Sequence, residues 1–172
     1  MFLADGLVFL ELQKTGGTHI GRLLEQYVGG QTTGKHHRLT EDVSDRYVIG
    51  SVRNPWDWYV SLWAYGCGSK GSIRRRTGRH IDLDYYIRGL PEAMGRETLS
   101  PGMFIVSAFH DVIKPVPRWQ QTYGDSSDPE SFRDWLKLLL DKNRRFDIGE
   151  GFGFSPLSEH SGLLSYRYLR LF

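Results

Sequence analysis

The chain has 172 residues and a mass of 19.8 kDa, which fits a single domain over residues 1–172. Apolar residues make up 40% of it and charged residues 24%, which excludes a wholly disordered chain. A net charge of +2 excludes binding of nucleic acid or an anionic membrane through global charge. No apolar run approaches the ~18–20 residues that span a bilayer. Cys67 is the one cysteine, so we expect a cytoplasmic protein.

The N-terminal part of the chain predicts a strand, a turn and a helix. Leu7–Leu10, with the two residues after it, is apolar enough for a short strand that is buried on both faces. Residues 13–18 predict the turn, and the apolar residues that follow share one helical face. Gly29 and Gly30 suit the C-terminal end of this helix. The apolar residues of the face are Ile20, Leu23, Leu24, Tyr27 and Val28.

A second strand and helix follow a polar segment. Residues 47–52 predict the strand, and Pro55 suits the first turn of a helix that fades at residues 66–68. Two such units in succession imply parallel strands with helical crossovers. Because ligands bind beyond the carboxyl ends of such strands, we expect the loop of Lys14 and the turn at residues 53–55 to lie beside one crevice.

The second half of the chain gives fewer signals. Asp128 predicts a helix cap with Pro129 at the first helical position, and residues 163–172 form a last amphipathic stretch. Residues 66–78 predict a loop. Residues 70–79 hold five basic residues and no acidic one. The rest of the chain has 17 Lys and Arg against 20 Asp and Glu, which is a net charge of −3. A solvated flexible loop is favoured there, and docking of a phosphorylated or sulfated acceptor, or of nucleic acid, is the alternative.

The segment Lys14-Thr15-Gly16-Gly17-Thr18 has the chemistry of an anion cradle. Its two glycines let the backbone turn tightly and bring N–H groups near a bound anion, and the helix start adds partial positive charge. Lys14 supplies a full charge, while Thr15 and Thr18 supply hydroxyl donors. The alternative is a tight turn in which Thr18 simply caps the helix.

A second glycine-rich segment, residues 29–35, matches the G-x-x-x-x-G-K pattern of nucleotide-binding P-loops. His36 stands where Ser or Thr should hold magnesium, and the segment follows a predicted helix instead of a strand. In the first loop Lys14 precedes the glycines, so that loop is not of this type either. A P-loop nucleotide kinase or NTPase is therefore the weaker alternative.

Arg53 and Ser61 form a second set of candidate anion ligands. Arg53, at the end of a predicted strand, offers a fork of donors for a phosphate. Ser61 lies nearly two turns into the following helix and is able to donate from the same side. The alternative is that Arg53 pairs with a local carboxylate and that Ser61 is a small residue for helix packing.

Two segments resemble the sulfotransferases that use 3′-phosphoadenosine 5′-phosphosulfate (PAPS). FLELQKTGGT, residues 9–18, is similar to their 5′-phosphosulfate-binding loop, and VIGSVRNPWDWYVS, residues 48–61, is similar to their 3′-phosphate-binding element. Both occur in the family's order, each with a predicted strand, and the likeness covers about a third of the chain. It implies an α/β, P-loop-like three-layer fold with a central, mostly parallel sheet flanked by helices.

The resemblance also implies a role for each matching residue. Lys14 would stabilise the negative charge that develops on the leaving oxygen of the donor, which makes it a catalytic group. The backbone of residues 15–18 would bind the 5′-phosphate, with the Thr18 hydroxyl as a further donor. Arg53 and Ser61 would select the 3′-phosphate, which separates PAPS from nucleotides that lack it.

The base that takes the acceptor proton is expected between the two segments, where many members have a catalytic histidine after a lysine. His36 and His37 are the candidates, and His36 is preferred because it directly follows Lys35. Imidazole titrates near working pH, which suits the role. Glu11 and Glu41 remain alternatives because some families use glutamate.

The implied donor is PAPS and the product is PAP, with no metal, since no spacing of Cys and His suggests zinc. The acceptor is a hydroxyl or an amine on a small molecule or carbohydrate, and neither a membrane nor nucleic acid is expected as a partner. Many relatives cover the adenine with a later segment that has no equivalent before Phe172, which predicts a domain shortened at its C-terminus. A non-catalytic module that binds PAP or another anion is therefore the main alternative.

Overall fold

The structure, a computed structural model, describes residues 1–34, 36, 39, 43, 45–79 and 101–171, and for residues 101–105 and 107 only the backbone. Contacts group the chain into two compact units. The first contains residues 1–61 and 163–172, and the second contains residues 62–162. The single domain that the length of the chain suggests stays a prediction.

The first unit contains a small mixed sheet of four short strands. They are β1 (Phe2–Ala4), β2 (Leu7–Leu10), β3 (Gln31–Thr32) and β4 (Tyr47–Gly50), in the order β3-β1-β2-β4. β2 and β4 are parallel, as the two strand–turn–helix units predicted. β1 pairs antiparallel with both β2 and β3. The fold is therefore mixed α/β, and the described sheet is not mostly parallel.

The antiparallel part of the sheet comes from a hairpin that the sequence analysis missed. Asp5 and Gly6 form the two-residue turn between β1 and β2, and Asp-Gly is a common sequence for such a turn. Phe2 then pairs with Phe9 across the two strands. Because β1 occupies the side of β2 that faces away from β4, no parallel strand can pair there.

Strand β2 is buried on both faces, as its apolar sequence predicted. Val8 and Leu10 lie in a core cluster with Leu12 and Leu171, and Phe9, which points to the opposite face, is also buried. Full burial of a side chain of this size stabilises a fold by ~1.5–3 kcal/mol. The loop that follows β2 therefore starts from a rigidly held strand.

Helix α1 (Gly17–Tyr27) ends as predicted, because Gly29 takes a φ of 74° directly after the C-cap residue Val28. Its predicted apolar face is not a buried face. Tyr27 and Val28 are exposed, and the buried residues of the helix are Gly17 and Gly21. Small residues let the helix backbone lie close to its neighbours, which periodicity of large apolar residues does not reveal.

Helix α2 (Pro55–Cys67) begins at the predicted proline, while β4 ends at Gly50, two residues before the predicted end of the strand. Trp58 and Trp63 are both buried. Asn54 supports the start of the helix, since its Oδ1 accepts a hydrogen bond from the Trp56 N–H at 3.0 Å.

The described part of the second unit is helical. Its helices are α3 (Ser72–Thr77), α4 (Pro101–Ile113), α5 (Val116–Gln121) and α6 (Pro129–Leu140), and 3₁₀ turns follow at Lys142–Asp147, Phe152–Phe154 and Pro156–Glu159. Asp128 caps α6 as predicted, because its carboxylate accepts from the N–H groups of Glu130 and Ser131. The last amphipathic stretch forms α7 (Leu163–Leu169), which belongs to the first unit.

The loop predicted at residues 66–78 is wrong for eight residues, because residues 66 and 67 still belong to α2 and six more form α3. Ile73, Arg76 and Thr77 are buried. They lie at positions i, i+3 and i+4, which is one helical face. Because the buried face includes an arginine inside a run of arginines, hydrophobic periodicity gave no sign of it.

A cluster of charges lies buried in the second unit. Asp111 accepts a hydrogen bond from Arg76 Nη1 at 2.7 Å and another from Lys114 Nζ at 2.9 Å. Lys114 Nζ also donates to the carbonyl oxygen of Arg76 at 2.6 Å. Burial lowers the pKa of Lys114, although the Asp111 carboxylate acts in the opposite direction. We call these three residues the Asp111 cluster.

Among the residues that the structure describes, no helix is both long and apolar enough to span a bilayer.

Candidate anion-binding site

Two segments that the sequence singled out meet at the carboxyl ends of β2 and β4. We call residues 13–18 the Lys14 loop and residues 53–55 the Arg53 turn. The parallel register pairs Leu10 with Gly50, so the segments after both strands start side by side. Arg53 Nη1 donates to the carbonyl oxygen of Lys14 at 3.4 Å, and Trp58 Nε1 donates to that of Gln13 at 2.6 Å.

The hydroxyl groups of Thr15 and Ser51 form a further link, with 2.7 Å between their oxygens. Thr15 Oγ1 also lies 2.7 Å from the carbonyl oxygen of Leu12, to which it donates its one proton. Ser51 must therefore be the donor in the hydroxyl pair. The Thr15 hydroxyl thus ties the Lys14 loop both to its own strand and to the neighbouring one.

The backbone of the Lys14 loop is folded so that α1 starts without a side-chain cap. Lys14 has a φ of 65° and Gly16 a φ of 83°, both in the left-handed region. The N-cap residue is Gly16, and no side-chain hydrogen bond caps the helix, so the alternative in which Thr18 acts as the cap is wrong. The first N–H groups of any helix have no partner within it and form its positive end. This arrangement suits an anion.

Glu11 lies at this same helix start, a placement that the sequence analysis did not predict. A Cβ added to Gly17 would lie 2.1 Å from Glu11 Cγ and 2.8 Å from Glu11 Oε1, so only glycine leaves room for the carboxylate. Thr18 Oγ1 donates to Glu11 Oε1 at 3.3 Å. The site therefore contains its own negative charge. The φ of Gly17 is not positive, so the backbone conformation does not require a glycine there. The glycine is required because the Glu11 side chain approaches the backbone closely.

His36 is the histidine candidate that the structure describes, and it lies beside the site. Its Nδ1 is 2.9 Å from the backbone oxygen of Glu11. Since a carbonyl oxygen only accepts, Nδ1 carries the proton in this contact, and the lone pair of the neutral ring is on Nε2. Nε2 is therefore the atom that would accept a proton. His37, Lys35 and Glu41 lie outside the described residues.

Arg53 and Ser61 differ in their positions on the second segment. Arg53 is exposed directly beyond β4, whereas Ser61 is half-buried on α2. No hydrogen bond joins the two side chains, both of which the structure describes. The structure thus brings Arg53, but not Ser61, into contact with the Lys14 loop.

The second glycine-rich segment has a different structure from a P-loop. Gln31 and Thr32 form strand β3 inside the pattern, and the segment follows helix α1. Its Lys35 lies outside the described residues. Among the residues that are described, no three His, Cys, Asp or Glu side chains are grouped closely enough to hold a metal ion.

Comparison with known proteins gives no relative for the chain: no family model matches it, and no curated protein or solved structure is significantly similar to it.

Proposed function

We propose that the chain is a PAPS-dependent sulfotransferase with a cytoplasmic location and a P-loop-like core. One observation supports this above the others. The two segments that resemble the phosphosulfate-binding and 3′-phosphate-binding elements are in direct contact. The contact joins Lys14 and Arg53, which are 39 residues apart in the sequence. In this proposal the two segments bind the two anionic ends of one nucleotide.

Several residues of the two segments fit such a donor in charge and in position. The uncapped start of α1 and the Lys14 ammonium would bind the 5′-phosphosulfate, together with the N–H groups of residues 15–18. The Arg53 guanidinium, which is exposed, would bind the 3′-phosphate. Ser61 would take part if the half-buried face of α2 became accessible to the nucleotide. The Glu11 carboxylate opposes binding of an anion at the helix start, so it would have to turn away.

PAPS supplies the sulfuryl group when it is bound. The acceptor oxygen or nitrogen forms a bond to sulfur as the bond from sulfur to the bridging oxygen breaks, and PAP leaves. Lys14 stabilises the negative charge on that bridging oxygen, and His36 Nε2 takes the acceptor proton. Removal of a fixed donor aimed at developing charge typically costs ~2.7–4 kcal/mol of transition-state stabilisation.

Titration calorimetry with PAP, with ATP and with a DNA oligomer, each with and without magnesium, tests this proposal. We expect PAP to bind without magnesium and more tightly than ATP. Lys14→Ala should abolish sulfuryl transfer while PAP binding largely survives, and Arg53→Ala should sharply weaken PAP binding. Arg22→Ala, at an exposed position of α1, is the matched control and should change neither. If both variants bind PAP like the parent, the site is wrongly assigned.

A non-catalytic module that binds PAP is the second candidate, and Glu11 is the observation that favours it. A carboxylate at the start of α1 weakens the positive field on which transfer would depend. This candidate predicts PAP binding with no turnover in the parent. If this candidate is right, Glu11→Gln strengthens PAP binding and still gives no turnover. If the chain is a sulfotransferase, the parent transfers the sulfuryl group to a hydroxyl or amine acceptor.

A further inference from the structure

A hollow of about 520 Å³ opens on the second unit beside helix α3. This volume falls within the ~300–1,000 Å³ that is usual for sites of small ligands. Of the described residues, three arginines and no acidic residue line it, together with small residues. The lining residues are Ser69, Gly71, Ser72, Arg74, Arg75, Gly78 and Arg79. We call this feature the basic hollow.

The hollow lies where the positive charge of the chain is concentrated. Residues 70–79 hold five basic residues, and the remainder of the chain is net negative, with 17 Lys and Arg against 20 Asp and Glu. Arg76 does not contribute to the surface, because it is buried against Asp111. Lys70, Arg75 and Arg79 are exposed and Arg74 is half-buried. A local positive potential therefore remains at the surface.

Arg74 is held in place before any ligand arrives. Its guanidinium carbon lies 4.7 Å from the centre of the Tyr123 ring. A Cβ added to Gly78 would lie 2.4 Å from Arg74 Nη1, so the guanidinium occupies space that a glycine leaves open. The Tyr123 hydroxyl is itself held, since it accepts from Trp135 Nε1 at 2.9 Å. A cation that is already positioned loses less conformational entropy when it binds an anion.

The backbone beneath the hollow is held as well. Lys114 Nζ donates to the carbonyl oxygen of Arg76, and Gln120 Nε2 donates to that of Gly78 at 3.0 Å. Ser72 Oγ donates to Glu150 Oε1 at 2.7 Å, so we do not assign this hydroxyl to a ligand. The arginines of the hollow thus extend from a short helix that is fixed at both ends.

The arginines that line the hollow favour ligands with several anionic groups. Guanidinium groups match the oxygens of phosphate and sulfate with paired hydrogen bonds, and several of them together match a ligand with several such groups. Sites for single-stranded nucleic acid add aromatic side chains on which bases stack. Among the residues that the structure describes, no aromatic residue lines the basic hollow. We propose that it binds the clustered sulfate or phosphate esters of a compact ligand, such as a polysulfated or polyphosphorylated sugar, at a site of its own.

Titration calorimetry at physiological salt with three probes tests this proposal on the full chain. The probes are sucrose octasulfate, myo-inositol hexakisphosphate and a ten-residue oligothymidylate. We expect one equivalent of at least one sugar probe to bind, and binding to weaken by roughly tenfold or more in the double variant Arg75→Gln/Arg79→Gln. The sugar probe that binds more tightly tells whether sulfate or phosphate esters are preferred.

The double variant Arg118→Gln/Arg133→Gln is the matched control. It removes two exposed arginines of the same unit that do not line the hollow, and it should bind the sugar probe like the parent. Gly78→Ala should also weaken binding, because the added methyl lies too close to the Arg74 guanidinium and to the Arg74 backbone oxygen, and both must move. Circular dichroism checks that each variant is folded.

Three results would overturn the proposal. The first is equal binding by the parent and by Arg75→Gln/Arg79→Gln. The second is binding of the oligothymidylate as tight as that of the sugars, which would indicate a nucleic-acid surface. The third is loss of sugar binding in excess PAP, which would make the hollow part of the nucleotide site. Failure of PAP to bind at all would refute the proposed function and leave this proposal unaffected.

Discussion

Two regions of the molecule place cations in opposite environments. In the first unit Arg53 is exposed at the end of a strand, where a ligand can reach it. In the second unit Arg76 and Lys114 are 5% and 2% exposed and share the Asp111 carboxylate. A buried charge must be paired to be tolerated, whereas an exposed one has little effect on folding. The comparison therefore separates residues that hold the fold from residues that are available for binding.

The largest expected effect is a loss of stability when the Asp111 cluster is disrupted. Asp111→Asn removes the carboxylate that two buried cations share, and we expect it to lower the free energy of unfolding by about 3–5 kcal/mol. Urea denaturation followed by circular dichroism measures this change. Asp134→Asn, which removes an exposed partner of Lys137, is the control and should change it by less than ~0.5 kcal/mol. Equal effects of the two substitutions would contradict the assignment of the Asp111 cluster.

The next effect concerns close packing at the candidate site. Gly17→Ala places a methyl group where the Glu11 side chain lies, and we expect a loss of about 1–3 kcal/mol in the free energy of unfolding. Gly6→Ala is the matched control, because nothing lies within 4 Å of a Cβ at that position. The same denaturation experiment compares them. A Gly17→Ala variant as stable as the control would show that Glu11 is not confined at the helix start.

The buried carboxyl group of Asp147, in the second unit, should make stability depend on pH. Burial raises the pKa of Asp147 above its usual 3.8, although the hydrogen bond from Trp119 and the Arg144 charge act against the rise. The folded state thus holds this proton more tightly than the unfolded state. The stability that the group contributes is present at low pH and is lost as pH rises from 3.8 through the raised pKa.

Asp147→Asn removes this titration and keeps an acceptor for the Trp119 N–H. The stability of the variant relative to the parent should increase with pH, by about 1.4 kcal/mol for each unit by which the pKa is raised. Denaturation of both proteins at steps from about pH 4 to about pH 8 measures the difference. A difference that is constant over this range would show that the Asp147 carboxyl is not shifted.

The smallest effect on stability is expected at the exposed side of the comparison. Arg53→Gln should change the free energy of unfolding by less than ~0.5 kcal/mol, because the side chain is exposed and its bond to the Lys14 carbonyl is long. The same variant should bind PAP much more weakly in calorimetry. A large loss of stability would place Arg53 among the residues that hold the fold.

Local sequence signals predicted a substantial part of the first unit and of helix α6. The apolar run of β2, the proline at the start of α2 and the Asp128 cap each depend on residues close in sequence. The meeting of the Lys14 loop with the Arg53 turn followed from one topological rule, that parallel strands end at the same edge.

The missed features depend on contacts between residues distant in sequence or on small residues. Strand β1 is set by a two-residue Asp5-Gly6 turn and not by a long periodic run. Helix α3 buries Arg76 because Asp111, 35 residues later in the chain, receives it. Glu11 reaches the helix start only because Gly17 has no side chain. None of these contacts leaves a periodic pattern in the sequence.

Trp58 has a consequence for experiments that follow ligand binding by magnetic resonance. Its indole N–H is bonded to the backbone oxygen of Gln13, at the base of the Lys14 loop, and its ring is buried. The proton on that nitrogen gives a separate signal in a nitrogen–proton correlation spectrum. A ligand that rearranges the loop would move this signal, so the protein contains an intrinsic magnetic-resonance reporter for occupancy of the candidate site.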